Sequence, residues 1–163
     1  MTSIATSTHL PPLGAHVRDE VGGELQAALV ELVDLSLIGK QLHWAVSGPL
    51  FRPLHLQLDE LLDSWRELAD TVAERAIALG FIPDGQAKAV AGSDLDPIER
   101  KAQEDHVVIF ELASRLTDVS ARMRTRMDRL GELDLASQDV LIEVVRALEE
   151  QQWMLRAQLG TRA

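Results

Sequence analysis

His55 and Asp59 lie four residues apart, as do Asp70 and Glu74. A helix puts residues at that spacing on one face, where two side chains can grip a single ion. Mixed imidazole and carboxylate donors suit iron, manganese or zinc, and the chain has no cysteine. That excludes disulfides, zinc–thiolate sites, iron–sulfur clusters and thiol catalysis. Carboxylates hold Fe3+ as well as Fe2+, so such a site can keep iron through an oxidation. His43, twelve residues before His55, is available as a further ligand. Trp44 beside it and Trp153 far along the chain are oxidisable, although packing is the commoner role of tryptophan, Trp65 included.

Asp59 and Asp70 are eleven residues apart, about 16 Å along a helix axis, too far to share an ion within one helix. The stretch therefore carries two half-sites. At about 100° per residue, all four side chains lie well away from the stripe of Leu54, Leu58, Leu61 and Trp65, so they do not point into their own core. An antiparallel pairing of two copies about a two-fold axis near Ser64 and Trp65 would set His55 opposite Glu74 and Asp59 opposite Asp70. Leu62, Ala69, Ala73 and Ile77 flank this face and offer apolar surface to an isologous interface. Arg66 and Arg75 are expected to pair with the carboxylates or across that interface. Taken singly, each residue is better read as a solvated or hydrogen-bonded side chain on a helix face. The symmetry of the spacing is what favours a metal.

The elements that must position these residues can be read from the hydrophobic period. Leu25, Leu29, Leu32, Ser36, Gly39 and His43 follow one side of a helix from about Arg18 to Val46, ended by Ser47-Gly48-Pro49. A second helix runs from about Leu50 to Leu79 with Gly80 as its stop. Phe81 to Leu95 reads as a long connection. Asp96-Pro97-Ile98-Glu99 has the order N-cap, N1 proline, N3 glutamate, which predicts the start of a third helix running to Gly131. Asp134 is expected to cap a fourth, whose stripe is Leu141, Val144, Leu148, Leu155 and Leu159. Short, long and short connections make an all-α, ferritin-like four-helix bundle with one long crossover between helices 2 and 3. Its usual inward-facing Glu-x-x-His motif is absent, since no histidine follows a glutamate by three.

The chain of 163 residues fits one domain, residues 18–160, preceded by a flexible arm, residues 1–17, that carries no Asp, Glu, Lys or Arg. A formal net charge of −10 argues against a generic phosphate-binding surface, whose affinity comes from lysine and arginine displacing counterions. No apolar run reaches the length of a membrane span and the N-terminus lacks a signal-peptide pattern, so a cytoplasmic location is expected.

His43-Trp44-Ala45-Val46-Ser47-Gly48, then Leu54-His55-Leu56-Gln57-Leu58-Asp59, then Asp70-Thr71-Val72-Ala73-Glu74-Arg75 with Leu79-Gly80, closely resemble the Dps family of ferritin-like miniferritins. The resemblance covers about residues 20 to 160. It implies a homo-oligomer, a dodecameric shell around an iron-storing cavity, with ferroxidase sites at two-fold interfaces. Carried over residue by residue, His43, His55 and Asp59 of one chain and Asp70 and Glu74 of its neighbour are the metal ligands. In the family, Fe2+ is oxidised there, preferentially by hydrogen peroxide, and stored as ferric mineral, which protects against oxidative stress. Asp134, Asp139 and Glu143 resemble an acidic channel lining, a solvated helix start being the alternative. Two other functions stay open: a nucleoid DNA-compacting protein with secondary iron chemistry, and a structural helical oligomer. Family members that bind DNA directly use lysine- or arginine-rich arms, and this arm has neither before Arg18, which argues against direct DNA binding.

Overall fold

Helices α1 (Ala15–Ala45) and α2 (Phe51–Ala78) fold back on each other, as do α4 (Asp105–Leu133) and α5 (Leu135–Gln158). A computed structural model describes residues 10–160 of the chain. The two hairpins pack as a four-helix bundle, joined by a crossover that contains a one-turn helix α3 (Ala87–Val90). The expected arm lies for the most part in residues 1–9, outside the described residues; α1 begins at Ala15, ahead of Arg18. The stripes predicted from the hydrophobic period meet in one core, where Leu25, Leu32, Leu58, Trp65, Leu116 and Leu148 are each 0% exposed. Among the described residues no helix is long and apolar enough to cross a membrane.

Local chemistry sets where the helices stop. Gly80 has φ +81°, and its N–H donates to Ile77 O (2.9 Å) while Phe81 N–H donates to Ala76 O (3.0 Å). These are the paired bonds of a Schellman motif, which needs the left-handed residue that glycine supplies without strain. At the other junction, Asp134 accepts from Ser137 N–H (3.2 Å) and Ser137 Oγ (2.5 Å), the N-cap expected of it. Gly131 does not end α4, which continues to Leu133.

The third long helix starts at Asp105, not at Asp96. Asp96, Pro97 and Glu99 are exposed, and a helix through 97–104 would bury little but Ile98, too little apolar surface to hold it. The chain stays extended and makes a two-residue parallel ladder instead, β1 (Val46–Ser47) against β2 (Gln103–Glu104), in the register Val46 with Gln103. Ser47 Oγ donates to Gln103 O (3.1 Å). Asp105, 7% exposed, then accepts from Leu50 N–H and His106 N–H, both at 2.7 Å. The carboxylate thus ties the start of α4 to the α1–α2 turn, passing over Gly48, where a Cβ would come within 2.7 Å of Asp105 Oδ2.

Two polar groups within the bundle escape a hydrophobic-period reading. Gln151 sits on the α5 stripe, accepts from Trp65 Nε1 (2.7 Å) and donates to Ser64 Oγ (3.0 Å), so it satisfies a buried indole N–H. Glu31, 3% exposed, accepts from Arg122 Nε (3.0 Å) and Arg126 Nη2 (2.6 Å), linking α1 to α4.

Candidate metal centre

The α1–α2 turn brings His43, in the last turn of α1, against His55 and Asp59, in the first turns of α2. One ligand atom from each lies within 4.8 Å of the others. The two imidazoles stack with centroids 3.6 Å apart, and Phe51 walls the outer side of His55 at 5.1 Å. His43 is buried, at 6% exposed, while His55 and Asp59 are half-buried. The cluster thus sits where α1 ends and α2 begins, open on one side.

Hydrogen bonds define which atoms are free to bind. His55 Nδ1 lies 3.1 Å from the His43 carbonyl oxygen, which can only accept. Nδ1 therefore donates, which leaves Nε2 as the ring atom turned to a ligand, the pattern by which an outer contact orients a metal-ligating histidine. His43 Nε2 is 3.0 Å from Asp59 Oδ2. That is a hydrogen bond in this chain, and its length is also about the 3 Å spacing of two donors each about 2.1 Å from one ion at right angles, so the pair is compatible with a divalent first-row metal. His43 Nδ1 is buried with no hydrogen-bond partner, so the ring's polar needs are not met by the protein alone. Lys40 Nζ donates to Asp59 Oδ1 at 2.8 Å. That bond is the main reason the Asp59 carboxyl falls below its usual range; partial desolvation opposes the shift and His43 adds to it.

Asp70 and Glu74 do not join this cluster. Both are exposed on α2, and neither has an ion pair among the described residues. Asp70 borders a groove between α1, α2 and the crossover, of about 480 Å³, with Arg66, Ala69, Ala73 and Pro83. The apolar flank expected around them is smaller than the helical wheel suggested. Leu62 and Ala69 are buried inside the chain, at 1% and 6% exposed, because α1 covers a wider arc of α2 than the leucine stripe alone: Leu62 reaches the Gly39 backbone. Ala73 is half-buried and Ile77 is 51% exposed, so these two remain available.

Of the other expectations, the packing role of Trp65 holds and several others change. Trp65 is fully buried, its ring filling the space that Gly39 leaves by lacking a side chain, and Ser64 bonds inward to Gln151. Trp65 presents no surface at the level of the supposed two-fold and Ser64 is half-buried; Asp63 and Arg66, paired at 3.6 Å, are exposed there. Trp44 and Trp153 are 69% and 59% exposed, not packed in this chain. Arg75 is not on the carboxylate face but clamps the α5 cap, with Nη2 2.6 Å from Asp134 Oδ2 and Nε 2.9 Å from Ser137 Oγ. Burial pushes the Asp134 carboxyl up, yet the bonds from Ser137 and Arg75 outweigh it and the net direction is down. Asp134 is thereby engaged as a cap, leaving Asp139 and Glu143 exposed without it.

The bundle and the placement of this cluster have counterparts among known proteins. The ferritin-like domain family matches over residues 23–163. A DNA protection during starvation protein of Mycolicibacterium smegmatis is 35% identical over 94% of this chain and 85% of its own length. The solved Mycobacterium smegmatis Dps, in its tetragonal form, superposes with a TM-score of 0.90 at 32% identity, covering 99% of this chain and 96% of that one. This chain belongs to the Dps branch of the ferritin-like family. The fine tangled pili major subunit of Haemophilus ducreyi is also 35% identical, over 83% of this chain and 72% of its own.

Proposed function

We propose that this Dps-family chain is a ferroxidase and iron-storage protein. Fe2+ is its substrate, oxidised preferentially by hydrogen peroxide at sites shared between subunits and stored as ferric mineral in a dodecameric shell, so that cells are protected from oxidative damage. The observation that carries the reading is the trio of His43, His55 and Asp59, held within 4.8 Å at one end of α2, with Asp70 and Glu74 bare at the other. Antiparallel pairing of two α2 helices would lay the bare pair of each copy on the trio of the other, giving each ion nitrogen and carboxylate donors. Each peroxide takes one electron from each of two Fe2+ ions and two protons, leaving two Fe3+ and two waters, so no hydroxyl radical is released. His43 and His55 bind as neutral donors through Nε2, and Asp59 contributes Oδ2. The stack of the two rings and the Phe51 wall fix the donors before the ion arrives.

The test is co-assembly. One variant carries His55→Ala with Asp59→Ala, the other Asp70→Ala with Glu74→Ala, and each alone is expected to be inactive. Refolded together, mixed pairs regain one intact site and lose the other altogether, so peroxide-dependent ferric absorbance returns in part. Failure of mixtures to recover, with both variants assembled, would sink the shared-site reading. A purely structural oligomer predicts no loss of catalysed oxidation in either variant. The acidic balance of the chain gives no support to direct DNA binding as its main role.

A further inference from the structure

Lys40 stands on the ligand face of α1, three residues before His43, and its ammonium bonds Asp59 Oδ1 at 2.8 Å with the side chain 29% exposed. Asp59 is thus shared at both oxygens, with Lys40 on Oδ1 and His43 on Oδ2. Among the described residues neither Asp70 nor Glu74 carries such a cation. We propose that Lys40 makes the centre discriminate by ionic charge, tolerating a divalent ion on Asp59 Oδ2 while weakening the hold on a trivalent one, so that the oxidised product leaves its ligands for the store. The inference rests on the reading of His43, His55 and Asp59 as iron ligands.

The physical basis is a fixed positive charge beside a substrate whose own charge rises by one when it gives an electron to peroxide. An ion on Oδ2 lies no more than about 7 Å from the Lys40 nitrogen, given metal–oxygen bonds of about 2.1 Å. Repulsion scales with the charge of the ion. At such a separation, between the screening of water and that of a protein surface, each added unit of charge weakens binding about tenfold. The ammonium also takes the oxygen that a chelating or bridging carboxylate would need, which leaves Asp59 a single-oxygen ligand. Carboxylates otherwise favour the more highly charged ion, and a centre built only of His43, His55, Asp59, Asp70 and Glu74 would hold its ferric product tightly. Lys40 offsets that preference without touching the ion.

The experiment uses the intact assembly and non-reacting probe ions: Co2+, followed by its visible absorption, and Tb3+, followed by luminescence excited through tryptophan. Wild type is compared with Lys40→Met, Lys40→Gln and Lys40→Arg, and His43→Ala/His55→Ala serves to subtract binding elsewhere. The Tb3+ to Co2+ affinity ratio is expected to rise about tenfold in both neutral variants and to return to the wild-type ratio in Lys40→Arg. An unchanged ratio in Lys40→Met and Lys40→Gln, or an equal loss of both ions, would overturn the proposal and make Lys40 a strut that orients Asp59. If His43→Ala/His55→Ala binds Co2+ as well as wild type does, the ligand assignment itself fails, and the role of Lys40 fails with it.

Discussion

The two ends of α2 carry similar chemistry in opposite states of preparation. At the N-terminal end, His55 and Asp59 are held by a turn, a stacked imidazole and a lysine, all from the same chain. At the C-terminal end, Asp70 and Glu74 are exposed, and the nearest basic side chains on that helix are spent elsewhere, Arg66 on Asp63 and Arg75 on Asp134. On the proposed shared-site reading, the difference teaches that a chain can finish the half of a site that needs precise imidazole orientation while leaving to a second copy the half that supplies only charge. Histidine lone pairs are directional and must be set by neighbours. Carboxylates have several lone pairs and can be delivered late, by a second copy.

That contrast can be broken from either side. The largest effect is expected from His43→Ala/His55→Ala, which removes the prepared end: peroxide-dependent Fe2+ oxidation should fall by more than about a hundredfold, read as ferric absorbance in single-mixing experiments. Next comes Ala73→Arg, which leaves every proposed ligand in place but puts a bulky cation on the half-buried flank of the bare end. Loss of assembly by light scattering together with loss of oxidation is expected; a monomer with full activity would show that the prepared end suffices alone.

A smaller, purely structural effect separates Arg75 from the carboxylate face. Asp134→Ala removes the α5 cap and strands Arg75, and should cost about 2 kcal/mol in urea unfolding without changing the metal ligands. Because the folded-state pKa of Asp134 is lowered, its contribution is fully present above the ordinary carboxylate value of about 3.9 and is lost as the pH falls through the folded value. The gap between wild type and variant should therefore close toward acid. The smallest change is expected from Arg66→Ala. Its pair with Asp63 is exposed and long, so the stability of the isolated chain should move by no more than about 0.5 kcal/mol.

Much of this was legible from spacing. The leucines of α2, the stop at Gly80 and the cap at Asp134 each follow a local rule that nothing in the fold opposes. The start of α4 was not, since a good capping sequence at Asp96 lacked an apolar face to follow it, and a tertiary bond to Leu50 from Asp105 won. Gln151 was missed because a polar residue on an apolar stripe is legible only when its partner, the indole of Trp65, is known to face it. The eleven residues between Asp59 and Asp70 already separate two half-sites, and the single chain gathers only His43, His55 and Asp59. Lys40 was passed over because a cation is not a ligand, although its spacing from His43 alone placed it on the same face.

The ladder between Val46 and Gln103 has a kinetic consequence. Each hairpin joins neighbours in sequence and closes a short loop, whereas this ladder bridges more than fifty residues of chain, and closure entropy grows with that span. The turn that aims His43 at Asp59 is latched only when the crossover docks and Asp105 takes the Leu50 amide. A chain in which only the α1–α2 hairpin has formed therefore lacks the Asp105 latch on the turn that carries His43.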